Sequence, residues 1–425
     1  MQTRQRFTAT VGAVTTLGAL ALTGCGNETG GTTAAVDDTS PITLTMSLWD
    51  SNQQPVMQEM ADMCTEGTNV QVDIELTPWD QYFTNLTAGA QGNTMPDVFW
   101  MHPEQINAFV AGDALMDLTD RIAEDNYDMS VFPAGVVESH QVDGRQYSIP
   151  KDVSTVALYF NKDLFDAAGV AYPDDTWTWD TWMEAAGKLT DAENGTFGML
   201  APANGQNFIY PLIYQNGSDF FDADGNSLFG SPETIQAVEF GKSFITNGYS
   251  PTLADFANTT EDQFFETGRA AMLTAGSWML GHFSSIDGLN IGVAPLPMGV
   301  QRGTIASGMG WAIAPHTSHP DEAWDLVKCL GGFEANQIQA ERGAAISVHD
   351  GTGEFFAAGF PDVDAQVFVD AADYGSGSYM ASPSRAQWVT LEQNAMIDIF
   401  SGNTDAATAL PRLAEQVDAV VAQNQ

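Results

Sequence analysis

Residues 42–49, Ile-Thr-Leu-Thr-Met-Ser-Leu-Trp, begin the stretch that determines the fold. Apolar and polar side chains alternate along them, which indicates a β-strand. The pattern then becomes helical over 54–66, alternates again over 70–76, and is helical over 79–90. An unbroken apolar run at 98–101, Val-Phe-Trp-Met, predicts a strand that is covered on both faces. This succession of strands and helices predicts a layered α/β lobe.

A second set of similar signals begins after Pro150. β-Branched and aromatic residues indicate strands, and apolar residues at helical spacing indicate helices. These patterns predict strands at 155–160, 270–278 and 291–296, and helices at 164–168 and 179–189. Thr178 precedes the second of these helices and is expected to be its N-cap. No repeat and no low-complexity linker divides the chain, so a division into two lobes must rest on other evidence.

The first residues have the composition of an export signal. Arg4 and Arg6 precede an apolar run over 7–22, and the box Leu22-Thr23-Gly24-Cys25 is typical of bacterial lipoproteins. We therefore expect residues 1–24 to be a lipoprotein signal peptide and Cys25 to carry a lipid on the extracellular face of the cell membrane. Residues 25–40, rich in Gly and Thr, would form a flexible tether. The alternative is an ordinary export signal in which the cysteine occurs by chance.

The charge of the chain restricts its partners. It contains 14 basic and 55 acidic residues, which gives a formal net charge of −41. So large a negative charge argues against nucleic acid or an acidic lipid surface as a partner, because both would be repelled. The 44% of apolar residues in a chain of 425 is sufficient for two cores of ordinary domain size.

Two cysteines remain once Cys25 is assigned to the lipid. Cys64 lies on the apolar stripe of a predicted helix, and Cys329 lies in a later helical pattern, somewhat off its apolar stripe. Outside the cell, the two can form a disulfide. Otherwise each is a small buried hydrophobe. The residues themselves leave both alternatives open.

Motifs of catalysis and of metal binding are scarce. The stretch 375–378, Gly-Ser-Gly-Ser, has the residue types of a serine-hydrolase elbow at the wrong spacing. His316 and His319 are close together but have no third ligand nearby. Residues 222–226 have the wrong spacing for a calcium loop and predict a hairpin turn. We therefore expect no metal and no cofactor. A pair of glycosidase carboxylates needs no local motif, so a secreted carbohydrate-active enzyme stays an alternative.

Tryptophans occur where predicted strands end. Trp49, Trp100 and Trp278 each close such a segment. In open α/β sheets, ligands bind outside the carboxyl ends of the strands. Indole faces stack on the C–H surfaces of sugars, and nearby carboxylates and amides accept hydrogen bonds from hydroxyl groups. This arrangement favours a neutral polyol as ligand, whereas the alternative for each indole is a place in the core.

Several segments occur together in a characteristic order behind the lipoprotein box. They are Thr-Met-Pro-Asp-Val-Phe-Trp-Met (94–101), Gly-Asp-Ala-Leu-Met-Asp-Leu-Thr (112–119), Asp-Gly-Arg-Gln-Tyr-Ser-Ile-Pro-Lys-Asp (143–152), Leu-Tyr-Phe-Asn-Lys-Asp-Leu-Phe (158–165), Trp-Thr-Trp (177–179), Thr-Gly-Arg-Ala-Ala-Met (267–272), Gly-Ser-Trp (276–278) and His-Pro-Asp-Glu-Ala-Trp (319–324). In this order, the segments resemble the extracellular solute-binding proteins of bacterial ABC importers, specifically the sugar-binding, maltose-binding-protein-like family.

The resemblance implies a two-lobed α/β fold, like that of periplasmic binding proteins, with a ligand cleft and three hinge crossings. The crossings are expected near 150–151, at 301–304 and between 332 and 347. The N-terminal lobe would comprise 41–150 and 305–335, and the C-terminal lobe 151–304 and 336–425. Ligand binding would select a closed state of the two lobes from an open one.

The implied function is that of a monomeric, lipid-anchored receptor that binds a mono- or oligosaccharide without turnover and delivers it to the ABC permease subunits in the membrane. Neither a cofactor nor nucleic acid takes part. The alternatives are a secreted carbohydrate-active enzyme, or the same fold with a peptide or polyamine as ligand.

The resemblance also implies ligand-binding residues. They follow the first strands, lie at the first crossing, or come from later segments: Trp49, Asp50, Asn52, Trp100, His102, Lys151, Asp152, Asn207, Tyr210, Trp278, Trp311, Arg385 and Trp388. Phe160 stands where members of the family often have Tyr, which removes a hydroxyl group, so Phe160 is left out of the site. Asp97 begins its strand, away from the cleft, and is interpreted as structural.

Overall fold

A computed structural model describes residues 40–377 and 384–423. The predicted signal peptide, the lipidation site Cys25 and the tether up to residue 39 lie outside the described residues. Within the described ranges, no helix has both the length and the apolar character needed to cross a bilayer.

The first sheet contains the strands that the opening stretch predicted. Its order is Val70–Leu76 (β2), Ile42–Leu48 (β1), Val98–Met101 (β3), Gly310–Ile313 (β11) and Ile149–Pro150 (β6). β1 is parallel to both β2 and β3, and β11 returns antiparallel to β3. All four residues of β3 are buried, in agreement with the unbroken apolar run. The three parallel strands therefore end side by side at one edge of the sheet.

Asp97 joins the strands of this sheet, as its structural interpretation predicted. One of its carboxylate oxygens accepts hydrogen bonds from the backbone N–H and the hydroxyl of Thr45, at 2.8 and 2.9 Å. The other accepts a hydrogen bond of 2.6 Å from the hydroxyl of Thr317.

The second sheet forms around the long strand Asp152–Asn161 (β7). β7 pairs antiparallel with Met272–Gly276 (β8), Ile291–Ala294 (β9), Thr304–Ser307 (β10) and Ile346–Ser347 (β12). Gly375–Ser376 (β13) lies parallel to β10, and a small separate ribbon consists of Gln141–Val142 (β4) and Arg145–Gln146 (β5).

Helices cover the sheets. They are Gln54–Thr65 (α1), Trp79–Gly92 (α2), Pro103–Ala111 (α3), Thr119–Glu124 (α4), Ala134–Ser139 (α5), Lys162–Ala168 (α6), Trp179–Leu189 (α7), Tyr210–Gln215 (α8), Pro232–Thr246 (α9), Leu253–Phe256 (α10), Glu261–Glu266 (α11), Leu280–Ser284 (α12), Pro320–Leu330 (α13), Phe333–Glu341 (α14), Gly353–Ala358 (α15), Gln366–Ala371 (α16), Arg385–Phe400 (α17) and Ala406–Gln423 (α18). The predicted N-cap Thr178 is confirmed, because its hydroxyl accepts a hydrogen bond from the backbone N–H of Thr181.

In the described part of the chain, three hydrophobic cores pack against the two large sheets. The first core surrounds the first sheet and includes Met46 and Phe99. Side chains of β7 alternate between the other two, since successive residues of a strand point to opposite faces. Val156 and Leu158 enter the second core, whereas Tyr159 enters the third. We call the first sheet with its core the first lobe, and the second sheet with its two cores the second lobe.

The chain passes between the two sheets at residue 151, from β6 to β7, and again at 308–309, from β10 to β11. The second position differs from the predicted 301–304, because residues 305–307 pair with β13 and β7 in the second sheet rather than joining the first. The sequence pattern around 304 did not show where the chain changes sheets, because β10 and β11 are short strands separated by only two residues. A third passage lies between α14, which contributes Ala335 to the first core, and β12 in the second sheet.

Cys64 and Cys329 form a disulfide, with their Cα atoms 5.7 Å apart. The bond joins the ends of α1 and α13, which pack side by side on the first core. Of the two alternatives that the sequence left open, this is the one present in the structure. A crosslink over 265 residues restricts the unfolded chain and so favours the folded state.

Candidate functional site

A cavity of about 440 Å³ lies outside the carboxyl ends of the parallel strands of the first sheet. Trp49 follows β1, Trp79 follows β2 and begins α2, and His102 follows β3. The second lobe closes the opposite side with side chains from the segments after β8 and before α8. The lining residues are Trp49, Asp50, Asn52, Gln53, Trp79, Trp100, His102, Lys151, Asp152, Ser154, Asn204, Gln206, Asn207, Asp262, Trp278, Met279 and Met309.

Aromatic rings form the wall on the side of the first lobe. The ring of Trp49 meets those of Trp79, Tyr82 and Trp100 edge to face, with centroids 4.9–5.0 Å apart. Trp100 is almost fully buried, whereas Trp79 is 46% exposed. Because each indole is held by its neighbours, this wall presents a preformed apolar surface to a ligand.

A buried ion pair lies where the chain first passes between the lobes. The Lys151 ammonium donates to the Asp152 carboxylate at 2.6 Å and to the Gln53 side-chain oxygen at 3.2 Å. It also lies 4.5 Å from the centroid of the Trp100 ring. The second oxygen of Asp152 accepts a hydrogen bond of 3.0 Å from the backbone N–H of Met309. Residues of both lobes and of two crossings thus meet at one charged pair.

His102 is the N-cap of α3, and its Nδ1 accepts a hydrogen bond of 3.3 Å from the backbone N–H of Glu104. Burial lowers the pKa of His102, which favours the neutral ring. Since Nδ1 accepts, the proton lies on Nε2, which can donate to a ligand hydroxyl. Asp50 accepts from the Asn52 N–H and the Gln53 side-chain amide, at 2.9 and 3.0 Å. These bonds fix the orientation of its carboxylate.

Polar side chains dominate the wall of the second lobe. Asn204 caps a one-turn π-helix at Gly205–Ile209, where its side chain accepts a 3.1 Å hydrogen bond from the backbone N–H of Asn207. Asp262, in the first turn of α11, has its pKa raised to about 6 by burial and by the neighbouring acidic residues. Amide groups on an irregular backbone provide donors and acceptors in several directions.

Trp278 adds one indole to this second wall. It belongs to the turn Ser277–Met279 that directly follows β8. Its ring covers Gly276 so closely that a Cβ atom added there would lie 2.1 Å from a ring carbon. The glycine is therefore required for the ring to take this position.

A second cavity, of about 500 Å³, adjoins the first and shares Trp79, Asn204 and Gln206 with it. Further lining residues, including Glu104, Tyr210, Arg385 and Glu392, belong to a buried network of charged and polar groups. The Arg385 guanidinium contacts Glu104 at 3.1 Å and donates to the Tyr210 hydroxyl at 2.6 Å. That hydroxyl donates to the Glu392 carboxylate at 3.1 Å, and burial raises the pKa of Glu392 to about 7.

The structure brings most of the predicted site residues together. Tyr210 and Arg385 line the second cavity. The first cavity is lined by Trp49, Asp50, Asn52, Trp100, His102, Lys151, Asp152, Asn207 and Trp278.

Trp311 and Trp388 line neither cavity, and their predicted place in the site is corrected. Both side chains are fully buried. Trp311 lies within β11, between β3 and β6, with its ring behind that of Trp100. Trp388 packs in the second core, where Arg385 covers its ring. Trp311 and Trp388 thus lie in the cores. Trp100 is as deeply buried but also reaches the cavity, from the second-last position of β3.

The sequence interpretation missed several lining residues. Trp79 follows the end of β2 just as Trp49 follows the end of β1, so the same rule would have found it. Gln53 directly follows the predicted Asn52, at the start of α1, and could have been included with it. The others carry no local signal, because they reach the cavity from separate parts of the second lobe or from the loop between β10 and β11. They are Ser154, Asn204, Gln206, Asp262, Met279 and Met309.

No cluster of His, Cys, Asp and Glu among the residues described could hold a metal ion. Residues 222–226, whose spacing argued against a calcium loop, form a turn. Asp222 accepts a hydrogen bond of 2.8 Å from the backbone N–H of Asn226, and Phe221 pairs with Ser227 across the turn. The hairpin prediction is thereby confirmed.

Comparisons with known proteins agree with this geometry. The model of the family of bacterial extracellular solute-binding proteins matches residues 50–337, which is more than half of the chain. The chain is 26% identical to the arabinooligosaccharide-binding protein of Halalkalibacterium halodurans, over 60% of this chain and 58% of that one. It is 29% identical to the maltotriose-binding protein of Pyrococcus abyssi, over 65% of this chain and 59% of that one.

Among solved structures, the ABC substrate-binding protein of Listeria monocytogenes in complex with cycloalternan superposes with a TM-score of 0.82. The alignment covers 90% of this chain and all of that one at 22% identity, and it shows that the fold is the two-lobed fold of these binding proteins. The chain belongs to the family of bacterial extracellular solute-binding proteins. It is a binding protein and not an enzyme.

Proposed function

We propose that this protein is the lipid-anchored receptor of an ABC importer and that it binds a mono- or oligosaccharide without turnover. The observation that carries the proposal is the cavity between the two lobes, with indoles on one wall and amides on the other. A sugar has apolar C–H faces and polar hydroxyl edges, and it needs both kinds of surface at once.

The polar groups of the cavity suit sugar hydroxyls. Asp50 and Asp152 accept hydrogen bonds, His102 donates through Nε2, and the Asn207 amide can do both. Each hydroxyl that enters the cleft loses water, so its hydrogen bonds must be replaced by those of the protein. We assign the predicted ligand contacts to the residues that line the two cavities and leave out Trp311 and Trp388.

Two adjoining cavities favour a ligand longer than one sugar unit. They share Trp79, and together they exceed the space that a single ring fills. Relatives named for arabino-oligosaccharides and maltotriose, and a structural neighbour in complex with cycloalternan, support the same size class.

The same proposal includes the division into lobes and the location of the protein. Residues 41–150 with 310–335 would form the first lobe, and most of the remainder the second. Closure of one lobe on the other around the sugar would be the signal that the permease subunits recognise. A lipid on Cys25 would hold the monomer at the extracellular face of the membrane.

Calorimetry with a panel of arabino- and malto-oligosaccharides of two to six units, linear and cyclic, tests the proposal. At least one member is expected to bind and to raise the melting temperature. Chromatography of the same mixtures is expected to return the sugar unchanged. Release of shorter sugars would support the alternative of a carbohydrate-active enzyme, and binding of polyamines or peptides alone would refute the sugar proposal.

A further inference from the structure

An ion pair connects the two lobes beside the cleft. The guanidinium of Arg385, at the start of α17, contacts the carboxylate of Glu104, in the first turn of α3, at 3.1 Å. α3 is anchored in the first core by Ile106 and Phe109. α17 is anchored in the second core, through residues that include Trp388. The pair therefore joins two elements that belong to different lobes.

This contact differs from an ordinary surface salt bridge. The side chain of Arg385 is 6% exposed and that of Glu104 is 16% exposed. On the side of the second lobe, the Tyr210 hydroxyl accepts a hydrogen bond of 2.6 Å from the guanidinium, and the Trp388 ring lies 4.3 Å from its central carbon. The guanidinium is thus already oriented within its own lobe when Glu104 reaches it from the other.

We propose that the Glu104–Arg385 pair is a positioning contact that holds the two lobes together before a ligand arrives. Separation of the lobes would break a charge-assisted hydrogen bond between two groups that are already oriented and shielded from water. The pair thus favours the closed arrangement of the ligand-free protein. Because a larger fraction of the protein is then already closed, a ligand that binds the closed arrangement binds more tightly. The proposal concerns the empty protein, and its main test does not depend on which sugar binds.

Glu104→Gln is the principal variant, because it removes the charge and keeps the shape of the side chain. Asp321→Asn is its matched control. It weakens the ion pair of Asp321 with Arg121, at 2.9 Å, between α13 and α4, and both helices pack on the first core through Ala323 and Ile122. Each variant loses one carboxylate, so the two proteins have the same net charge.

Small-angle X-ray scattering of the ligand-free proteins measures the result. Glu104→Gln is expected to increase the radius of gyration and the maximum dimension, whereas Asp321→Asn is expected to match the wild type. Arg385→Lys, which keeps the charge and loses the fork that reaches both Tyr210 and Glu104, is expected to show an intermediate increase. Circular dichroism verifies that every variant is folded.

Scattering profiles of Glu104→Gln and Arg385→Lys that coincide with that of the wild type would overturn the proposal. An equal expansion in Asp321→Asn would overturn it too, since the effect would then come from charge in general. If the pair only stabilised the fold, the variants would have a lower melting temperature and an unchanged scattering profile. This result would also contradict the proposal.

A second readout becomes available once a sugar has been identified. Glu104→Gln is expected to weaken its binding by about fivefold or more, the usual scale of coupling between a conformational equilibrium and a ligand. Because Glu104 also lines the second cavity, this loss supports the proposal only together with the expansion seen by scattering, and a loss without expansion contradicts it. Absence of sugar binding in the wild type would refute the proposed function, while the scattering result would stand by itself.

Discussion

The two walls of the cleft are built in different ways. The wall of the first lobe consists of indoles at the ends of neighbouring parallel strands. Trp49 and Trp79 follow β1 and β2, Trp100 is the second-last residue of β3, and the ring of Trp49 contacts the other two. The wall of the second lobe comes from a π-helix, a short turn and the start of α11, and it is rich in amides and carboxylates. The first wall is therefore preformed and suits stacking, whereas the second provides directional hydrogen bonds that distinguish one sugar from another.

The largest effect is expected where the two walls meet. Asp152→Asn would leave the Lys151 ammonium, which is 1% exposed, without its carboxylate. The loss of one partner of a buried pair lowers the free energy of unfolding by roughly 3–5 kcal/mol. Urea unfolding measures the change. As a control, Glu184→Gln breaks the exposed pair with Lys188 and is expected to leave the urea midpoint unchanged. Equal midpoints for Asp152→Asn and the wild type would contradict this account.

Loss of an indole from the second wall is expected to affect binding more than folding. Trp278→Ala removes stacking area from a half-buried side chain, and sugar affinity is expected to fall by roughly 1–3 kcal/mol. Calorimetry with the best sugar of the panel measures the loss. An unchanged affinity in a folded variant would remove Trp278 from the site and leave stacking to the first wall alone.

A smaller loss of affinity is expected from Gly276→Ala. The added methyl group would lie 2.1 Å from a carbon of the Trp278 ring, so the ring must move away from its present place. Gly135→Ala is a suitable control, because an added Cβ there meets no atom within 4 Å. Equal affinities of the two variants would show that the position of the ring is unimportant.

A change in the pH dependence of stability, and not a loss of affinity, is expected from Glu392. Burial raises the pKa of Glu392 to about 7 from the ordinary 4.5, so between these values the folded protein holds a proton that the unfolded chain releases. The contribution of Glu392 to the free energy of unfolding is therefore complete below pH 4.5 and is lost as the pH rises through 7. Glu392→Gln is expected to flatten this part of the profile. The same slope in wild type and variant, measured by urea unfolding from pH 4.5 to 8, would contradict the raised pKa.

Local patterns predicted the elements well and the site in part. The alternation at 70–76 coincides with β2, and the helical pattern at 179–189 coincides with α7, since side-chain spacing reports which face of an element is buried. The rule that ligands bind at strand ends placed Trp49 and His102 in the cavity wall. That rule does not apply to Trp311, which lies within β11, and its predicted place in the cavity wall was wrong.

Several features depend on residues that are far apart along the chain. Cys64 is 265 residues from Cys329, and Glu104 is 281 residues from Arg385. Such pairs form only when the order of strands in each sheet and the passages between the lobes are in place. Periodicity and strand-end residues, which act over a few residues, therefore determined the fold class and half of the cleft. The disulfide, the amide wall and the contact between the lobes arose from packing, because contact energies depend on distance in space and not on separation along the chain.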